Sequence, residues 1–233
     1  MPVSTNMTRH PGLRAVRAVL FDFAETLFAA EETPERIRGA LSHLGIVQTG
    51  PDIDRIAEEI ETALQSEEYL ATRGRRDLST VDHRAAFTAA FSSAEGLFEG
   101  LADAMYDRLT EPISWTPFPD AKPTLASLQQ LGIRVGVVSN IGFDVRPVFS
   151  HHGLFDFVDA FTLSFEHGIV KPDPELFEIA VRALNVQATE TVMIGDNVAD
   201  AGAVLVGARV YLLPPVAAHS ERGLKEILAI CTL

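Results

Sequence analysis

Residues 19–28 read VLFDFAETLF. Val19, Leu20 and Phe21 are apolar without alternation, as a strand covered on both faces requires. The run then stops at a carboxylate, Asp22, and places the methyl group of Ala24 two residues further on. Similar runs recur downstream as IRVGVVSN, VDAFTLSF, TVMIGD and ARVYLL. Between the later four lie helical patterns. DAKPTLASLQQLG carries Leu125, Leu128 and Leu131 on one face, and DPELFEIAVRALNV carries Leu176, Ile179, Ala180 and Leu184. DVRPVFSHHG and ADAGAVLVG are shorter patterns of the same kind. Strands alternating with helices predict an α/β fold, a doubly wound, parallel, five-stranded Rossmann-like core.

The stretch 29–116 departs from that rhythm. TPERIRGALSHLG has Thr33 as an expected N-cap and Pro34 as the first helical residue, repeats Ile37, Leu41 and Leu44, and closes on Gly45. DIDRIAEEIETALQSEEYL follows with Ile53, Ile56, Ile60 and Leu64, and two more helices are expected around 81–91 and 95–109. Four helices without strands predict an α-helical lobe inserted after the first strand. The expected division is a loose leader at 1–14, a core from 15–28 and 117–233, and the lobe at 29–116.

Composition narrows the function. Thirty-two acidic against nineteen basic residues give a net charge of −13, which disfavours nucleic acid as a partner. No apolar run approaches the roughly 18 residues of a membrane helix. The single cysteine, Cys231, cannot form an internal disulfide, and no export signal opens the chain, so a cytoplasmic setting is expected. Only three lysines occur: Lys122, Lys171 and Lys225.

In an open parallel sheet, ligands bind beyond the carboxyl ends of the strands. There the first run delivers Asp22 and Thr26, the second Ser139 and Asn140, and the fourth Asp196, with Asp200 a helical turn later. Lys171 follows the third run in HGIVKPDPELF. Singly, each can be a turn former, a cap or a solvated charge. Together, three carboxylates at one sheet edge repel one another unless a cation sits among them, and hard oxygen donors suit Mg²⁺.

The set Asp22/Thr26, Ser139/Asn140, Lys171-Pro172 and GDNVADAGAVLVG resembles, in order and spacing, the four signature motifs of the haloacid dehalogenase superfamily. The likeness spans nearly all of the chain after residue 14, and the lobe at 29–116 resembles that family's type 1 helical cap. The resemblance implies a nucleophile at Asp22 that forms an aspartyl-phosphate. It also implies Mg²⁺ held by Asp22, the carbonyl of Ala24 and Asp196, with Asp200 supporting that shell. Lys171 would pair with Asp22 and the transferring group, Ser139 would hold its oxygens, Thr26 would brace the loop, and Asn140 would lie near the substrate.

Most phosphatases of the family carry a second Asp at the position of Ala24, where it protonates the leaving group and later activates water. Its loss typically slows such a step 10²- to 10⁴-fold. The dehalogenase branch has Tyr there and lacks the GD of the fourth motif, unlike this chain. The phosphonoacetaldehyde hydrolase branch does have Ala, but needs a cap lysine for a Schiff base, and 29–116 contains none. Glu25 is a substitute only if the chain twists, because residues 22, 24 and 26 of an extended segment point away from it. His83 in the lobe is another, and a substrate with a good leaving group would need neither. A non-catalytic relative that binds Mg²⁺ and a phosphorylated ligand is also consistent with the alanine.

The lobe segment ATRGRRDLST gathers Arg73, Arg75 and Arg76. It reads either as a solvated turn between helices or as a recognition site for an anionic substrate tail. The expectation is a hydrolase of a small phosphorylated substrate, monomeric or homodimeric.

Overall fold

The computed structural model describes residues 15–46, 51–217 and 220–231; the leader expected at 1–14 lies outside them. Strands β1 (Ala18–Phe21), β4 (Arg134–Ser139), β5 (Ala160–Leu163), β6 (Thr191–Gly195) and β7 (Arg209–Leu212) form one parallel sheet in the order β5-β4-β1-β6-β7. The chain winds outward from β1 through β4 to β5, then crosses back to β6 and β7, so the switch point falls beside β1.

Both faces are covered, as the unbroken apolar runs require. Val19 and Phe21 pack into a cluster with Leu125, Leu128 and Phe149, whereas Ala18 and Leu20 join Leu176, Phe177, Ala180 and Met193 on the other face. Helices α7 (Ala121–Gln130), α8 (Arg146–His151) and α11 (Ile227–Cys231) serve the first face; α10 (Pro174–Ala183) and the 3₁₀ segment Val198–Val206 serve the second. The short helix α9 (Ser164–His167) follows β5. Leu131 ends α7 as its C-cap and is exposed rather than part of the apolar face.

The inserted stretch contains α1 (Thr33–His43), α2 (Pro51–Leu64), α3 (Glu67–Ala71), α4 (Arg73–Arg76), α5 (Thr80–Ala90) and α6 (Leu101–Thr110). Ile37, Leu41, Ile53, Ile56, Ile60, Phe91, Leu101 and Met105 bury one another in a second core. Leu44, past the end of α1, is exposed.

Four expectations are corrected here. The stretch is not free of strands: β2 (Phe28–Ala30) and β3 (Trp115–Pro117) pair antiparallel where the chain leaves and re-enters the core, because both connecting segments must satisfy their backbone groups side by side. Arg108 clamps this crossing, its Nη2 and Nε reaching Glu31 at 2.6 and 3.0 Å. Thr33 is the first helical residue, not the cap. Glu32 holds the cap position without a side-chain bond, while Thr33 is buried and Pro34 moves one place inward. The arginine segment is not a loop but the single turn α4, and the helix expected at 95–109 divides into a 3₁₀ turn, Ser92–Gly96, and α6. Gly100, at φ 84°, makes that division.

Candidate active site

Asp22 is the residue at which β1 leaves the sheet, its N–H donating to the carbonyl of Ile194 at 2.9 Å. Because Phe21 lies beside Ile194, Asp22 and Asp196 depart from adjacent strands one residue out of step. After Asp22 the chain turns tightly, with Leu27 and Phe28 both donating to the carbonyl of Phe23 and Glu25 donating to that of Phe28 at 2.7 Å. Glu25 takes φ 54° in this turn. The extended alternation that would aim it away from the site therefore stops at Phe21, and Glu25 joins Asp22 and Ala24 on the wall of a cavity of about 440 Å³.

Lys171 reaches the same point, buried to 4% exposure. Its ammonium meets Asp22 Oδ2 at 3.0 Å, Asp200 Oδ1 at 2.6 Å and the Val138 carbonyl at 2.9 Å, so all three N–H bonds have acceptors. Burial alone would lower its pKa, but the charges of Asp22 and Asp200 outweigh that and raise it. Asn140 clamps the lysine's backbone from both sides, donating Nδ2 to the Lys171 carbonyl at 3.0 Å and accepting the Lys171 N–H at Oδ1 at 2.7 Å.

Asp200 is fully buried beneath this group, and its Oδ2 accepts the Asn197 N–H at 3.0 Å. A Cβ on residue 195 would stand 2.0 Å from that carboxylate, so only Gly195 admits it. Burial pushes the pKa of Asp200 up against the opposing pull of Lys171, and burial followed by the charge of Asp22 raises Asp196. Thr26, fully buried, donates to Asp196 Oδ1 at 3.3 Å. One oxygen from each of Asp22, Asp196 and Asp200 lies within 4.8 Å of the others. An all-oxygen set whose members resist ionising together fits a small hard dication.

The lobe supplies the facing wall. Arg73 and Arg76 line the cavity; Arg75 is exposed and lies outside it. Arg76 stacks over the rings of Tyr69 and Phe87 at 4.6 and 5.5 Å and donates Nε to Asp77 Oδ1 at 3.2 Å, while its buried Nη1 has no hydrogen-bond partner. Ser139 ends β4, buried and behind the cavity wall. His83 does not line the cavity. Its Nδ1 pairs with the Tyr106 hydroxyl at 3.0 Å, and burial, then the nearby charge of Arg76, pushes its pKa down to about 3. A neutral, enclosed imidazole is no proton donor to the cavity.

Three features have no local sequence signal: the inward-facing Asp77, the twist at Glu25, and Arg222. Arg222 comes from the C-terminal segment, donates Nε to the Glu25 carbonyl at 2.6 Å and lies over the Phe118 ring. Its segment is fastened by Asp120, whose carboxylate accepts the N–H groups of Arg222, Gly223 and Leu224.

The parallel sheet thus gathers a carboxylate, a lysine and a further acidic pair at its carboxyl end, where open α/β sheets bind their ligands. The chain belongs to the haloacid dehalogenase-like hydrolase family, whose model matches residues 16–205. It is 29% identical over 191 residues to a glyceraldehyde 3-phosphate phosphatase of Methanopyrus kandleri, covering 78% of this chain and 76% of that protein. A ribulose-1,5-bisphosphate 5-phosphatase of Halopiger xanaduensis is 37% identical over 100 residues, 42% of each chain. A crystal structure of a HAD phosphatase from Thermococcus onnurineus matches the fold with a TM-score of 0.62 at 24% identity, covering 92% of this chain and 97% of that one. Among the described residues, no helix is long and apolar enough to cross a membrane.

Proposed function

We propose that the protein is a Mg²⁺-dependent phosphatase of a small phosphorylated metabolite, acting through an aspartyl-phosphate on Asp22. The observation that carries this reading is the contact between Asp22 and the buried ammonium of Lys171, on the wall of a cavity that Asp196 also lines. Lys171 orients Asp22 through their 3.0 Å contact and offers its charge to the phosphoryl oxygens. Asp22, the carbonyl of Ala24 and Asp196 would hold the metal. Asp200, whose two oxygens already accept Lys171 and Asn197, braces the set from below. Bound there, Mg²⁺ supplies charge neutralisation for the approach of one anion to another.

Asn140 positions Lys171, Thr26 positions Asp196, and Ser139 orders the wall behind them. The helical lobe, 29–116, acts as the cap, and Arg73 and Arg76 receive an anionic tail of the substrate. Such a tail is present in the bisphosphate named for one similar phosphatase, whereas glyceraldehyde 3-phosphate, named for the other, has only the phosphate that is removed. The single cysteine and the charge of −13 agree with a cytoplasmic monomer or homodimer that engages neither nucleic acid nor membrane.

The test is phosphate release with Mg²⁺ from a panel running from acetyl and aryl phosphates to sugar phosphates. Release above an Asp22→Asn control, lost on chelation, is expected, the variant falling by at least about 10³-fold. Ala24 favours one other reading, a protein that binds the metal and a phosphorylated ligand without turning it over. Silence on every substrate, with retained binding of one, would establish that reading instead.

A further inference from the structure

Two carboxylates line the cavity besides Asp22 and Asp196: Glu25 and Asp77. Glu25 is exposed, whereas Asp77 is 5% exposed and belongs to the lobe, between α4 and α5. The backbone of Asp77 is fastened to the core. Ser164 Oγ donates to its carbonyl at 2.6 Å and accepts the Ile141 N–H at 2.9 Å, which ties residue 77 to the loop after β4. Arg76 occupies Oδ1, and among the described residues Oδ2 accepts no hydrogen bond. A buried carboxyl with one oxygen unpartnered on a cavity wall is costly as an anion and well suited to carry a proton. Burial pushes its pKa up. Arg76 and Lys171 pull it down and Asp22 pushes it up again, with the net direction upward. The other groups around it are Tyr69 from α3 and the neutral His83 from α5, whose Nε2 is 3.9 Å from Oδ1.

We propose that Asp77, delivered by the lobe, is the general acid and base that the core lacks at Ala24. This rests on the phosphatase reading above. In the first step a bond forms between an Asp22 oxygen and phosphorus, the bond from phosphorus to the ester oxygen breaks, and Asp77 gives its proton to that oxygen, releasing an alcohol. In the second, water attacks the aspartyl-phosphate while Asp77 takes its proton. The oxygen–phosphorus bond to Asp22 breaks, phosphate leaves, and both carboxyl groups return to their starting states. The acid/base group then enters the site with the lobe, so proton transfer is coupled to the seating of residue 77 against Ser164.

The test is the first-turnover rate of alcohol release, by rapid quench with Mg²⁺, for phosphate esters whose leaving groups range from 4-nitrophenol to an alkyl alcohol. Asp77→Asn is expected to slow the alkyl ester about 10²- to 10⁴-fold and leave the 4-nitrophenyl ester nearly unchanged, because only the poor leaving group needs the proton. The unchanged ester also reports that the variant is folded, and Asp77→Glu should recover part of the alkyl rate. Equal slowing of all esters would reduce Asp77 to a support for Arg76 and overturn the proposal. So would an unaltered alkyl rate, or a selective loss that appears in Glu25→Gln instead. If the unmodified protein hydrolyses no ester above the Asp22→Asn control, the phosphatase reading itself fails, and that outcome is read before any Asp77 variant is made.

Discussion

On the core side of the cavity, Asp22 and Asp196 stand just beyond the ends of adjacent strands and Lys171 in the loop between α9 and α10, and each is fixed by sheet register or by hydrogen bonds to neighbouring segments. On the lobe side, Arg73, Arg76 and Asp77 hang from a single helical turn, held by ring stacking and by the hydroxyl of Ser164. The first wall is as rigid as the sheet. The second is only as well placed as the packing of lobe on core. In the proposed reaction, the chemistry that every turnover needs sits on the rigid wall, and whatever selects the substrate or times the proton sits on the other.

The largest expected effect tests the rigid wall. Lys171→Met removes the cation that three acceptors share and leaves Asp200 buried with only the Asn197 N–H. Removing one partner of a buried pair typically costs on the order of 3 to 5 kcal/mol. Urea unfolding without added metal should show a loss of that size. A loss under about 1 kcal/mol, the range of exposed pairs, would mean that the acidic group does not need the lysine.

The same contrast governs what could be read from the sequence. Asp22 and Asp196 each end an unbroken apolar run, and such a run must be a buried strand, so their place at one sheet edge follows from local pattern and topology. Lys171 was legible because it follows the third run and lysines are scarce. Asp77 and His83 had no such signal. Asp77 lies in the quoted arginine segment, yet what turns it inward is Ser164, 87 residues away. His83 is neutralised by burial and then by the charge of Arg76, and its burial includes the close approach of Gly142, where a Cβ would stand 2.2 Å from the histidine's own. The Glu25 twist depends on Phe28 and on Arg222, 197 residues away. Local patterns specify elements, and contacts between distant elements specify which side chains face a cavity.

His83 turns the seating of the lobe into a measurable quantity. In the unfolded chain it titrates near 6.5, and in the folded protein it stays neutral down to about 3. Between those values the unfolded state binds more protons, so its contribution to stability is complete above pH 6.5 and is lost as pH falls toward 3. At pH 5, about 1.5 units below the unfolded value, the loss is about 2 kcal/mol. Unfolding free energies at pH 7 and pH 5 should therefore drop by about 2 kcal/mol less in His83→Gln than in the unmodified protein. Equal drops would show that the lobe opens freely enough for the imidazole to titrate as in water, and the two walls would then differ even more than the structure indicates.

The smallest effect separates recognition from chemistry on the lobe wall itself. Arg73 lines the cavity, is exposed, and makes no ion pair among the described residues, so its guanidinium is available to a ligand. For a substrate with a second anionic group, Arg73→Ala should raise KM about tenfold, equivalent to about 1.4 kcal/mol, with kcat little altered. For a phosphate ester without that group, KM should hardly move. Arg75→Ala, on the exposed side of the same turn, should give a smaller change with either substrate. If Arg73→Ala instead lowers kcat equally for both substrates, the residue acts through the position of Asp77 rather than on the substrate's tail. The lobe wall would then be a single positioning unit, and specificity would have to lie on the core side.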